Sequence, residues 1–170
     1  MDVFQHLISV SVETINEAVL ESLTEKEVGV ELSFFAKPGN LNPATLKEST
    51  AFHRGLLSGF SGRKSMHGAF TDLNPTTRDP LLQQVCDFRI RESLEIAAEL
   101  GMTKVVFHPN YFPSTASDYQ AYWIDKQIVF WEKYAQILKE SGITIYLENT
   151  REENASFILP INDYSKKSVI

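Results

Sequence analysis

Four side chains able to bind a cation or move a proton recur along this chain at nearly even intervals. They are Glu31, His67, His108 and Glu148, separated by 36, 41 and 40 residues. Imidazole and carboxylate together suit a borderline divalent cation, and either group can serve as an acid or base. Each sits in or directly after a short apolar run. His108 ends the run in KVVFHPN (104–110), where three bulky apolar residues lead into the histidine and Pro109-Asn110 stop it. His67 ends KSMH, Glu148 follows Ile143, Ile145 and Leu147 in ITIYLENT, and Glu31 lies in the second half of VGVELSFF. Runs of this kind predict parallel strands buried on both faces. Folds built from such strands bind ligands at the strands' C-terminal ends, where His67, His108 and Glu148 would lie. A step of roughly 40 residues is one strand plus one helix, as in a β/α barrel of ~250 residues and eight strands.

Such a scheme needs helices between the strands, and the periodicity supplies them. A first strand is expected at 7–12, with Ser9 and Ser11 on one face. A helix at 14–26 follows, with Ile15, Val19 and Leu23 on one stripe. The second strand is expected at 28–35, then a turn at Lys37-Pro38-Gly39-Asn40. A helical region at 43–60 has Leu46, Phe52, Leu56 and Leu57 as core candidates. After the third strand (65–67) comes the long loop GAFTDLNPTTRDP. Its Asp72 and Asn74 either contact a ligand or, more simply, form turns. Asp79-Pro80 opens the next helix, which runs to about Leu100 with Leu82, Cys86, Ile90, Leu94 and Ala97 as its buried stripe. Its Arg89 and Arg91, among Asp87, Glu92 and Glu95, are best explained as ion pairs along the helix face. A long helix is expected at 118–141, with Tyr119, Trp123, Phe130, Tyr134 and Ile137 inward and Gly142 closing it. The fifth strand is 143–147. A short helix is expected near Glu152, and the tail at 151–170 is poorly patterned. The whole of 1–170 is read as one domain, a partial barrel of about five βα units or a smaller open sheet.

Composition narrows the possibilities. The chain has 170 residues, 43% of them apolar, which is enough for one core. A net charge of −6 provides no electrostatic footprint for a nucleic acid backbone. Cys86 is the single cysteine, so no intrachain disulfide can form, which suits a reducing compartment. No apolar run approaches the ~20 residues of a membrane span. The N-terminus carries Asp2 and no early Lys or Arg, unlike a signal peptide. The expectation is a cytoplasmic protein.

MHGAFTDLNP (66–75), RIRESLEIAAELGMTKVVFHPN (89–110) and ITIYLENT (143–150), in that order, resemble the xylose-isomerase-like TIM-barrel superfamily. That group includes sugar-phosphate isomerases and epimerases and the endonuclease IV type of abasic-site nuclease. The resemblance covers about 28–150. It implies a (β/α) TIM-barrel type of fold, truncated after its fifth strand. It also implies a divalent metal (Mn, Zn, Mg or Co) held by His67, His108 and Glu148, with Glu148 doubling as acid/base residue and with His67 and His108 alternatively donating hydrogen bonds to substrate hydroxyls or a phosphate. The implied partner is a sugar or sugar phosphate undergoing proton transfer next to a carbonyl. The nuclease alternative would use the same three residues to cleave a phosphodiester, but that branch usually has glycine where this chain has Asn110. Further ligands in the family come from strands six to eight, and nothing here supplies them. A third alternative is therefore a catalytically inactive half-barrel that self-associates through its open edges, a homo-oligomer.

Each candidate also has a plainer explanation. Glu148 can be a strand-end acid facing solvent, and His67 and His108 can be hydrogen-bonded core histidines. Glu31 can line the mouth or pair with a basic residue. Arg151 can hold an anionic group of the substrate through its planar fork, or remain a solvated loop charge.

Overall fold

The computed structural model of the chain describes residues 8–112, 118–150 and 158–161. Five short strands form one parallel sheet in chain order. They are β1 (Ser9–Val12), β2 (Gly29–Leu32), β3 (Lys64–His67), β4 (Lys104–Phe107) and β5 (Thr144–Leu147). The connections carry α1 (Glu17–Glu25), α2 (Pro43–Ser58), α3 (Pro80–Glu99), and the consecutive α4 (Tyr119–Glu132) and α5 (Ala135–Ser141). This is the expected (β/α) architecture over five units. No helix among the described residues is long and apolar enough to cross a membrane.

Local chemistry explains the element ends. Asn16, Asn42 and Asp79 each accept a backbone N–H at the start of α1, α2 and α3, and Pro43 and Pro80 occupy the first turns where no N–H is missed. Gly101 and Gly142 take left-handed conformations (φ 67° and 69°) after α3 and α5, closing those helices.

Burial on both faces holds only for β3, where Ser65, Met66 and His67 are all buried; β2 and β4 are sealed on one face, and β1 and β5 are more open. Val30, Leu32, Met66, Val105 and Phe107 alternate along β2, β3 and β4 and are fully buried in the core with the helices. The register pairs Glu31 with Ser65, His67 with Val106, and Val106 with Tyr146. Because side chains alternate along a strand, these residues share the opposite face with Ser11, His108 and Glu148. That face is mostly polar, and Tyr146 on it is exposed.

Several expectations are corrected. The second strand ends at Leu32, and Phe34–Ala36 turn in a 3-10 helix that buries Phe35. In α2 Phe52 is 60% exposed, and the buried face is Thr50, His53 and Leu57. His53 donates from Nδ1 to the Ser49 carbonyl and packs on Phe34 and Phe35. Burial lowers its pKa. In α3 Leu82 is 54% exposed, because the stripe turns inward only from Cys86 onward. The single long helix is two, broken at Lys133-Tyr134, where the Tyr134 ring is fully buried and its hydroxyl donates to Asp87 on α3. The helix expected near Glu152, the tail after 161 and Arg151 lie outside the described residues.

Candidate metal centre

His67 is the last residue of β3, and its register partner is Val106. His108 stands two residues beyond that level, directly after β4. Glu148 follows β5 at the level of His108, since Val106 pairs with Tyr146. The ladder continues past the strand ends: Gly68 donates to Val106 and Glu148 to Phe107. Three adjacent strands therefore deliver three ligand-type side chains to the C-terminal rim, and they meet there. His67 Nε2 lies 3.0 Å from His108 Nε2 and 3.7 Å from Glu148 Oε2, and His108 Nε2 lies 3.2 Å from Glu148 Oε2.

This geometry fits a metal ion. Bonds of ~2.0–2.1 Å in a tetrahedral centre place ligand atoms about 3.3 Å apart, in the middle of the observed range. His67 Nδ1 lies 2.9 Å from the Gly68 carbonyl. Only an N–H can face that oxygen, so Nδ1 carries a proton, and in the neutral ring this leaves the lone pair on Nε2. Fixing the tautomer through the other ring nitrogen is how metal-ligating histidines are usually oriented. The lone pair on His67 Nε2 then points into a space shared with a second imidazole and a carboxylate. A cation placed between the atoms would be within reach of all three. Two nitrogens and one oxygen suit a borderline cation better than a purely oxygen-loving one. The histidines are largely covered, whereas the Glu148 side chain is 53% exposed and reachable by a ligand.

Glu31 is on the same face but beside Ser65, one side-chain repeat below His67, and is absent from the cluster. Asp72 and Asn74 make turns. Asn74 Oδ1 accepts from both the backbone and the hydroxyl of Thr76. Arg89 and Arg91 pair with Glu92 and Asp87 along α3.

Residues without an assigned role in the sequence complete the surroundings. The Phe70 ring packs against His108 (4.2 Å between centroids) and His67 (4.8 Å). Gly68 is required where it stands, since a Cβ there would overlap the buried Phe107 ring. Gln127 of α4 is fully buried, donates to the Pro109 carbonyl at 2.6 Å and accepts from Trp131 Nε1 at 2.8 Å. A signal for Gln127 existed: it lies four residues after Trp123, a polar residue on an apolar stripe. Phe70 stands inside the HGAF motif, but nothing in its spacing marks it as a neighbour of His108.

The chain can now be set beside known proteins. A Thermus thermophilus protein soaked with zinc chloride superposes with a TM-score of 0.71 at 23% identity, over 95% of this chain and 62% of that one. A D-tagatose 3-epimerase-like protein gives 0.66 at 24%, over 91% and 59%. The architecture is that of a partial (β/α) TIM barrel. The IolI protein with a bound zinc atom gives 0.63 at 16%, over 91% and 59%. In sequence, an uncharacterized protein of Methanocaldococcus jannaschii is 33% identical over 84 residues, 49% of this chain and 29% of its own length. No protein-family model matches. The chain thus spans about three-fifths of the length of these solved structures.

Proposed function

We propose that this chain carries the His67–His108–Glu148 part of a divalent-metal site in a sugar or sugar-phosphate isomerase or epimerase. The observation that carries the reading is the convergence of the three ligand atoms within 3.7 Å at the rim of adjacent parallel strands. Support comes from structural neighbours named as a D-tagatose 3-epimerase-like protein and a D-psicose 3-epimerase in the presence of D-fructose. When bound, a divalent cation would polarise the substrate's carbonyl and hydroxyl oxygens.

The chain's own residues then have distinct tasks. His67, locked by Gly68, and His108 would hold the cation and exclude water with Phe70 beside them. Glu148, the accessible member, would be both a ligand and the group that accepts a proton from the carbon next to the carbonyl. Glu31 would line the floor below His67, and Arg151 would hold an anionic group of a phosphorylated substrate.

Calorimetric titration with Mn(II) and Zn(II), combined with deuterium uptake from D2O into a ketohexose, tests this. Glu148→Gln is expected to weaken metal binding about 10-fold or more and to abolish uptake. Unchanged affinity in Glu148→Gln would sink the proposal. Incision of abasic duplex DNA instead of exchange would favour the phosphodiesterase alternative.

A further inference from the structure

We infer that Asn110 is a positioning residue that joins the two histidines into one site through Phe70. Its backbone is left-handed, with φ 55°. Asparagine tolerates that region better than most residues with a side chain, and glycine tolerates it best. The Asn110 side chain is buried, and its Nδ2 donates to the carbonyls of Phe70 (3.0 Å) and Leu73 (2.8 Å). Both carbonyls belong to the loop that follows His67-Gly68. One amide, two residues after His108, therefore ties the tip of β4 to the loop leaving β3.

The loop it holds carries the Phe70 ring, which touches both imidazoles. With the Phe70 carbonyl fixed, the ring has a defined origin and closes one side of the histidine pair. Gln127 anchors the same strand tip from α4 through Pro109, so the tip stays attached if the Asn110 side chain is removed. Glycine at 110 would satisfy the backbone and lose the tie, which separates the two roles of this position.

The experiment uses that separation. Asn110→Gly retains a residue at ease with the observed φ and deletes both hydrogen bonds. In metal-free protein, the imidazole proton signals of His67 and His108 should carry the ring-current shift of Phe70, and Phe70→Leu marks the signal without it. Asn110→Gly is expected to move both signals toward the Phe70→Leu positions and to weaken zinc binding about 10–100-fold. Signals that stay at wild-type positions, or signals that move while zinc affinity is unchanged, overturn the inference. The affinity arm rests on the proposed metal site. If the wild type binds no zinc, that reading fails, and the signals in metal-free protein alone decide the positioning role. Should Asn110→Gly not fold, the wild-type side-chain amide decides. Both Nδ2 protons are expected to be protected from solvent exchange, and free exchange would overturn the inference.

Discussion

The two faces of the sheet use the same twenty strand residues for opposite ends. Toward the helices, Val30, Leu32, Met66, Val105 and Phe107 are sealed from water. On the other side stand Ser11, Glu31, Ser65, His67 and Tyr146, with His108 and Glu148 at the rim. One face holds the fold together by burial, and the other gathers ligand-type side chains at its rim. The difference teaches that alternation within four-residue strands allows stability and chemistry to be tuned nearly independently. They meet only where the chain crosses from one side to the other.

The largest effect expected from breaking this division is at neighbouring positions on β4. Phe107→Ala should cost about 3–5 kcal/mol in urea unfolding, through lost burial and a residual cavity. Val106→Ala, one residue away on the half-buried other face, should cost about 1 kcal/mol or less. Equal costs would refute the division. Gly68→Ala strikes both faces at once, because the added methyl meets the Phe107 ring while the Gly68 carbonyl holds His67. A loss of about 1–3 kcal/mol is expected together with weaker zinc binding. A loss of stability with unaltered binding would show that the two faces are not linked there.

A third probe lies in the helical layer, away from either face. Burial pulls the Asp87 carboxyl upward, but hydrogen bonds from Lys133, Tyr134 and Arg91 overcome this and hold it at about 2, below its ordinary 3.8. A carboxyl held low in the folded state stabilises the protein fully above about pH 4. That contribution is lost as pH falls through about 2. Allowing for partial exposure, it amounts to about 1–2 kcal/mol. Asp87→Asn should flatten the stability profile between those pH values, and an unchanged profile would contradict the account. The smallest effect is expected at exposed Tyr146, where Tyr146→Phe should shift stability by no more than about 0.5 kcal/mol.

Much of this was legible in the residues themselves. Asp79-Pro80, Leu100-Gly101 and Gly142 mark helix ends through local chemistry, and that chemistry is what the structure shows. His67, His108 and Glu148 were found because each ends an apolar run, a signal that survives without any knowledge of packing. Phe52 and Leu82 misled because helical spacing shows which residues share a face but not how far along the helix a neighbour extends. KVVF looked doubly buried because Val106, on the ligand side, is itself apolar. The Asn110 tie and the contact of Phe70 with His108 join residues about 40 positions apart, and no local pattern encodes such a meeting.

One member of the His67–His108–Glu148 cluster follows a strand that is paired on a single side among the described residues. β5 hydrogen-bonds to β4 alone, yet its end carries Glu148. An ion seated between β3, β4 and β5 would therefore act as a stitch across the sheet's border. At one hundred times its dissociation constant, saturation would add about 2.7 kcal/mol to the folded state. Amide exchange should slow most in β5, which is paired on one side only and would be tied to β3 and β4 by the ion.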